Sequence, residues 1–168
     1  MTAPLEHREI GRCEEAVLRQ LLGYYCHDMA EWFALDLQAD GTYPYPVESL
    51  WSDACHVHLA QVGGAPVGFA IVAEVAGANA PSGTRDLKEF FVVRRHRRTG
   101  LGRALAAAIW NEYPGGWIVR VLQANRPALP FWRTAIEAYT EGRFVEEARC
   151  LDGRDWSYFS FEAPMQHG

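Results

Sequence analysis

The sequence is short of cysteine, of long apolar runs and of net positive charge, and each shortage removes a class of function. Four cysteines, Cys13, Cys26, Cys55 and Cys150, stand in 168 residues. They form no CxxC pair and have no histidine at zinc-finger spacing, so neither a disulfide framework nor a metal site is expected. They read as reduced, mostly buried thiols. No apolar run reaches the length that crosses a bilayer, and residues 1–8 lack the apolar core of a secretory signal. A cytoplasmic location with no membrane partner is the expectation. The net charge is −5, whereas a nucleic-acid footprint spread along the chain requires a basic total. Repeats and low-complexity tracts are missing too, and no Gly-x-Gly-x-x-Gly fingerprint follows an early strand, which argues against a dinucleotide fold.

What is present fits one domain over residues 1–168. Apolar residues make up 49% of the chain and charged residues 22%, enough to bury a core and too little charge for a disordered tail. The positive charge is local. Five arginines fall between Arg94 and Arg103, while the remaining surface is acidic.

That arginine cluster lies inside the most informative stretch. Asp86 to Val93 is apolar and β-branched, Arg94 to Arg103 is a basic turn holding Gly100 and Gly102, and Ala104 to Trp110 has helical spacing. The pattern predicts strand, turn and helix. The two glycines remove Cβ atoms where the helix begins, so a ligand can approach the free N–H groups of its first turn. An anion is the expected guest. Arg97, Arg98 and Arg103, with the Thr99 hydroxyl between them, suit a diphosphate, since guanidinium forks match phosphate geometry. A charge run by itself is more often a solvated turn; the adjacent glycines and helix start favour the ligand.

The string Arg97-x-x-Gly100-x-Gly102, directly after Phe90-Phe91-Val92-Val93, resembles the acyl-CoA-binding motif of the GNAT superfamily of N-acyltransferases. A second match lies downstream. Asn125, Ala128, Phe131 and Trp132 follow the strand Gly116 to Gln123 as the family's asparagine, small residue and aromatic pair do. The resemblance implies acetyl-CoA as co-substrate and an amine, on a small molecule or a peptide, as acceptor. It implies splayed fourth and fifth strands with pantetheine paired to the backbone of Phe91 and Val92, and places Asn125 and Trp132 at the cofactor. An asparagine at a strand end also caps the following helix, and both roles are compatible. Two departures stand out. Trp132 occupies the usual tyrosine position, and an indole cannot protonate a departing thiolate. The usual Gly-Phe pair is displaced to Gly142-Arg143-Phe144. A subfamily of acetyltransferases of unknown substrate is similar in these features.

The remaining order of elements predicts a mixed, mainly antiparallel α/β sheet of about seven strands flanked by helices. Leu5 to Ile10 reads as a strand and Cys13 to Met29 as an amphipathic helix. Asp40 to Pro46, with one glycine and two prolines, is a constrained loop. Cys55 to Val62 and Val67 to Val75 form a hairpin, Ala76 to Thr84 a connector, and Arg143 to Leu151 with Asp155 to Phe161 the last two strands.

Acyl transfer from a thioester needs a neutral amine, a stabilised oxyanion and a proton for sulfur. Glu89 is the candidate base, because it interrupts an apolar strand just before Phe91 and Val92. Pairing with a nearby arginine is the competing role, and Asp86, expected to be more solvated, is the second choice. Tyr25, Asp28, Tyr43 and Tyr45 are candidate acceptor contacts. Tyr24, Tyr25, Tyr139 or water could supply the proton. His27, His56 and His58 read as structural or surface residues. Attack in a ternary complex is expected, since no serine or cysteine sits in a nucleophile motif. A GNAT-fold acyl-CoA sensor without catalysis is the rival reading. Oligomeric state stays open, a homodimer being the commonest assembly.

Overall fold

In the computed structural model, residues 4–75 and 80–165 are described. Part of the connector expected over Ala76–Thr84 and the end of the C-terminal tail lie outside them. Among the described residues seven strands form one sheet: β1 (Leu5–Ile10), β2 (Cys55–Val62), β3 (Ala65–Glu74), β4 (Arg85–Val92), β5 (Gly115–Leu122), β6 (Phe144–Leu151) and β7 (Arg154–Ala163). Their spatial order is β1-β2-β3-β4-β5-β7-β6. Pairing is antiparallel for β1 with β2, β5 with β7 and β6 with β7, and parallel for β4 with β5. Three helices accompany it: α1 (Glu15–Met29), α2 (Leu101–Glu112) and α3 (Ala128–Thr140). The mixed α/β sheet is the architecture expected. No helix among the described residues is long and apolar enough to cross a membrane.

The chain divides into two compact units, and β3 and β4 each contribute to both. The first comprises Met1–Ile71 and Glu89–Gly102. Its core joins Leu18, Leu21 and Leu22 of α1 to Val57 and Leu59 of β2, Phe69 and Ile71 of β3, and Phe91 of β4. The three leucines recur at helical spacing, so one stripe of α1 is apolar and buried. The constrained loop after α1 ends in a 3₁₀ turn, Val47–Leu50, whose Val47 and Leu50 insert into the same core.

The second unit comprises Val72–Lys88 and Arg103–Gly168. Trp110 of α2 is fully buried and packs against Trp132 and Tyr139 of α3 and Phe161 of β7, with ring centroids 6.3, 4.9 and 5.1 Å away. Aromatic rings at these separations contribute beyond the area they bury. β4 pairs with β5 through Arg85↔Trp117 and Asp86↔Ile118, at the start of β4. α3 ends at Glu141 and Gly142, both left-handed (φ +54° and +80°), and the Gly142 N–H returns to the Glu137 carbonyl at 3.0 Å.

Candidate active site

Glu89 places a carboxylate directly before the apolar end of β4, Phe90 to Val92, and a half-buried carboxylate requires donors. Two phenols supply them. The Tyr25 hydroxyl donates to Oε2 and the Tyr45 hydroxyl donates to Oε1, the latter at 3.0 Å. Tyr25 follows Leu18, Leu21 and Leu22 on the buried stripe of α1, which aims its ring into the core beside Phe69 and Phe91 at centroid distances of 5.7 and 6.1 Å. Tyr45 lies between two prolines that restrict the backbone, and the buried 3₁₀ turn behind it anchors the loop.

Burial raises both phenols well above their ordinary value, and the Glu89 charge adds to the effect. They therefore stay protonated and donate. Cys26, next to Tyr25, is buried, and its thiol is pushed up to about 11 by that burial and by Glu89. It is a thiol, not a thiolate nucleophile, at neutral pH. Tyr43 takes a different partner, with its hydroxyl 3.0 Å from His27 Nδ1.

The basic turn follows β4 as a 3₁₀ turn, Arg94–His96. Arg97 is engaged three ways. Its Nε donates to the Val92 carbonyl at 2.7 Å, its Nη2 to Asp28 at 2.6 Å, and its guanidinium lies over the Phe91 ring at 5.3 Å. Arg94 reaches the other Asp28 oxygen at 2.7 Å. Burial works against the Asp28 charge, but hydrogen bonds from Arg97 and Arg94 outweigh it and hold the carboxyl below its ordinary value. Asp28 thus ties the last turn of α1 to the turn after β4. Arg98 and Arg103 are exposed, and the Thr99 hydroxyl donates to the His96 carbonyl at 2.7 Å. Arg98 (φ +62°) and Gly100 (φ +87°) are both left-handed. A Cβ on Gly100 would have no heavy atom within 4 Å, so the bend is open where α2 starts at Leu101. Positive side chains, open backbone and a helix start together fit an anionic diphosphate.

Gly68 of β3 lies against this part of β4. A Cβ there would stand 2.2 Å from the Phe91 carbonyl oxygen and 3.2 Å from Val92 Cα. A glycine inside a strand signals close backbone approach, so the sequence carried that signal, although Gly68 was not among the expected site residues. The Tyr45–Glu89 hydrogen bond had no comparable signal, because nothing in the sequence fixes how a proline-bound loop folds back. Nor did the Asp28–Arg94 pair.

The second unit holds the other expected residues. Asn125 Oδ1 accepts the Ala128 N–H at 3.2 Å at the start of α3, the capping role. Trp132 is 9% exposed in the aromatic cluster around Trp110. The Tyr139 hydroxyl donates to Asn111 at 2.8 Å. Asp86, expected to be solvated, is a correction: its side chain is 13% exposed and bound to Arg120. Burial raises its carboxyl despite that arginine.

The sequence model of the acetyltransferase (GNAT) family matches residues 26–135, a span that includes Tyr45, Glu89 and the arginine–glycine turn and begins just after Tyr25. The chain belongs to the GNAT acetyltransferase family. Solved structures agree in fold. The ribosomal-protein-S18-alanine N-acetyltransferase of Escherichia coli is 16% identical with a TM-score of 0.66, covering 98% of this chain and 97% of its own. Spermidine N-acetyltransferase of Vibrio cholerae, solved with CoA and spermine, is 15% identical with a TM-score of 0.67, covering 95% of each chain. A GNAT-family acetyltransferase of Streptococcus pneumoniae is 16% identical with a TM-score of 0.63, covering 96% of this chain and 100% of its own. No curated protein sequence gives a match. For this GNAT chain, family membership supports acetyl transfer and the use of acetyl-CoA, and the identities of these neighbours carry the fold alone.

Proposed function

We propose that this GNAT protein transfers an acetyl group from acetyl-CoA to an amine of a small molecule or peptide, by direct attack in a ternary complex. One observation carries the reading: a carboxylate held by two protonated phenols stands two residues before Phe91, on the strand that leads into the arginine–glycine turn. Acetyl-CoA, when bound, supplies an activated carbonyl carbon and a thiol leaving group. Arg97, Arg98 and Arg103, the Thr99 hydroxyl and the backbone at Gly100 and Gly102 bind its diphosphate. The Phe91 and Val92 backbone orients the pantetheine arm, and Asn125 and Trp132 belong to the same cofactor set.

Glu89 accepts the proton of the incoming ammonium, so that a neutral amine is the nucleophile. Tyr25 and Tyr45 fix the carboxylate by one hydrogen bond to each oxygen. That holds the carboxylate in one orientation, which is the positioning an acyl transfer needs most. Tyr43 and Asp28 are the further acceptor contacts proposed. Cys26 stays a bystander, consistent with direct attack.

Thiol release from acetyl-CoA measured over a panel of amines tests the reading. Glu89→Gln is expected to lower kcat about 100-fold or more with CoA affinity unchanged. Tight CoA binding without thiol release for any amine would instead support the acyl-CoA sensor, a role favoured by the burial of Trp132 where the family places a phenol.

A further inference from the structure

β6 stands at the end of the sheet order and is exposed from Val145 to Leu151, with Val145 at 55% and Leu151 at 46%. A long accessible edge offers its unused N–H and C=O groups to another strand. The turn that joins β6 to β7 tells which groups those are. Leu151↔Arg154 closes a two-residue turn, Asp152-Gly153, with φ +52° and +72°. A hairpin turn of this kind is closed by a hydrogen-bonded pair. Leu151, Arg149, Glu147 and Val145 therefore send their backbone groups to β7, while Cys150, Ala148 and Glu146 send theirs to the open edge.

Side chains follow the same alternation. Val145, Glu147, Arg149 and Leu151 share one face. Glu146 lies on the other, where Arg133 of α3 binds its carboxylate through two hydrogen bonds of 2.9 and 2.7 Å. We propose that β6 pairs antiparallel with β6 of a second copy of the chain about a two-fold axis through Ala148, making a homodimer with a continuous sheet.

That register is self-complementary in every respect the strand allows. Ala148 meets the same residue of the second copy as a hydrogen-bonded pair, and Glu146 meets the position of Cys150. On the shared face Glu147 stands opposite Arg149 and Val145 opposite Leu151, each twice by symmetry. These are non-hydrogen-bonded pairs, whose side chains come closest. The outward-facing groups recur every second residue, so the neighbouring registers are discrete. One sets Glu147 against Glu147 and the other Arg149 against Arg149. Like charges directly opposite destabilise a sheet, so the charge pattern favours one self-pairing and opposes its neighbours. Within one chain Arg149 bonds Glu147 at 2.6 Å with both side chains more than half exposed. An exposed pair of that kind contributes little, so exchanging its carboxylate across the two-fold costs little while Arg149 stays over the Tyr158 ring, 4.5 Å from its centroid.

Sedimentation velocity over about a hundredfold range of concentration tests the pairing in the full chain. A concentration-dependent dimer is expected. Ala148→Pro removes an N–H that points to the open edge, so it spares the β6–β7 ladder while raising the dimer dissociation constant about tenfold or more. Glu147→Arg is expected to do the same by setting arginine against Arg149, and Glu147→Arg with Arg149→Glu to restore the dimer. The charge pair keeps the test decisive if the proline variant folds poorly. A monomer throughout the range, a dimer indifferent to Glu147→Arg, or a charge reversal that fails to restore it overturns the proposal.

Discussion

Replacing Gly68 by alanine sets one methyl group against the backbone of β4. The added Cβ would stand 2.2 Å from the Phe91 carbonyl oxygen, whereas ordinary van der Waals contact begins at 3.4 Å. The atom it meets belongs to the main chain, so no rotamer change relieves the overlap. β4 must move by roughly 1 Å at Phe91, and overpacking of this kind costs about 1–3 kcal/mol. In a chain of this size each kcal/mol lowers Tm by about 2–4 °C. Because Phe91 and Val92 are the proposed seat of the pantetheine arm, the same displacement is expected to weaken CoA about tenfold, the effect of 1.4 kcal/mol. Calorimetric titration of CoA and a thermal melt of Gly68→Ala read both quantities. A variant with the parent's Tm and CoA affinity would refute the close approach of β3 and β4 at this point, and with it the reason for a glycine at 68.

Tyr45→Phe and Tyr25→Phe each remove one donor from Glu89, and each is expected to lower kcat about tenfold or more, with CoA affinity held, in the thiol-release assay. Asp28→Asn removes the charge that pairs Arg94 and Arg97, and a change in the salt dependence of CoA titrations is the expected result. His58 is fully buried and burial pushes it down to about 4, from an ordinary 6.5. Its unfolded form binds the extra proton between those values, so stability is complete above pH 6.5 and lost as pH falls toward 4, by up to about 3 kcal/mol. Urea melts of His58→Gln are expected to show a smaller loss across that window. The Asp28 carboxyl, held below its ordinary 3.8, contributes stability that is present above that value and lost only as pH falls beneath it, so the two effects separate by pH.

Local pattern carried most of the architecture. The seven strands and three helices follow from periodicity, from glycine and proline punctuation and from the β-branched runs, and their boundaries fall within a few residues of those expected. The basic bend at Arg97–Gly102 was legible for the same reason: strand, turn and helix are contiguous, so local rules apply. What escaped was long-range. The Tyr45–Glu89 bond joins residues 44 positions apart, and the Asp28–Arg97 pair residues 69 apart. Asp86 looked solvated because it begins a strand; its burial depends on Arg120 of β5, a pairing set by the parallel register and not by either segment alone. The conversion of Val47–Leu50 into a 3₁₀ turn likewise depends on a core assembled from other elements.

Tyr45 gives the loop after α1 a double allegiance. On the proposed function, the segment that would contact the amine also carries one of the two groups that steady the carboxylate. Grafting a foreign loop onto this scaffold would then change reactivity together with selectivity, unless the graft keeps a phenol at position 45. On that proposal, redesign here has to treat the tyrosine as part of the machinery and the flanking positions as the adjustable margin.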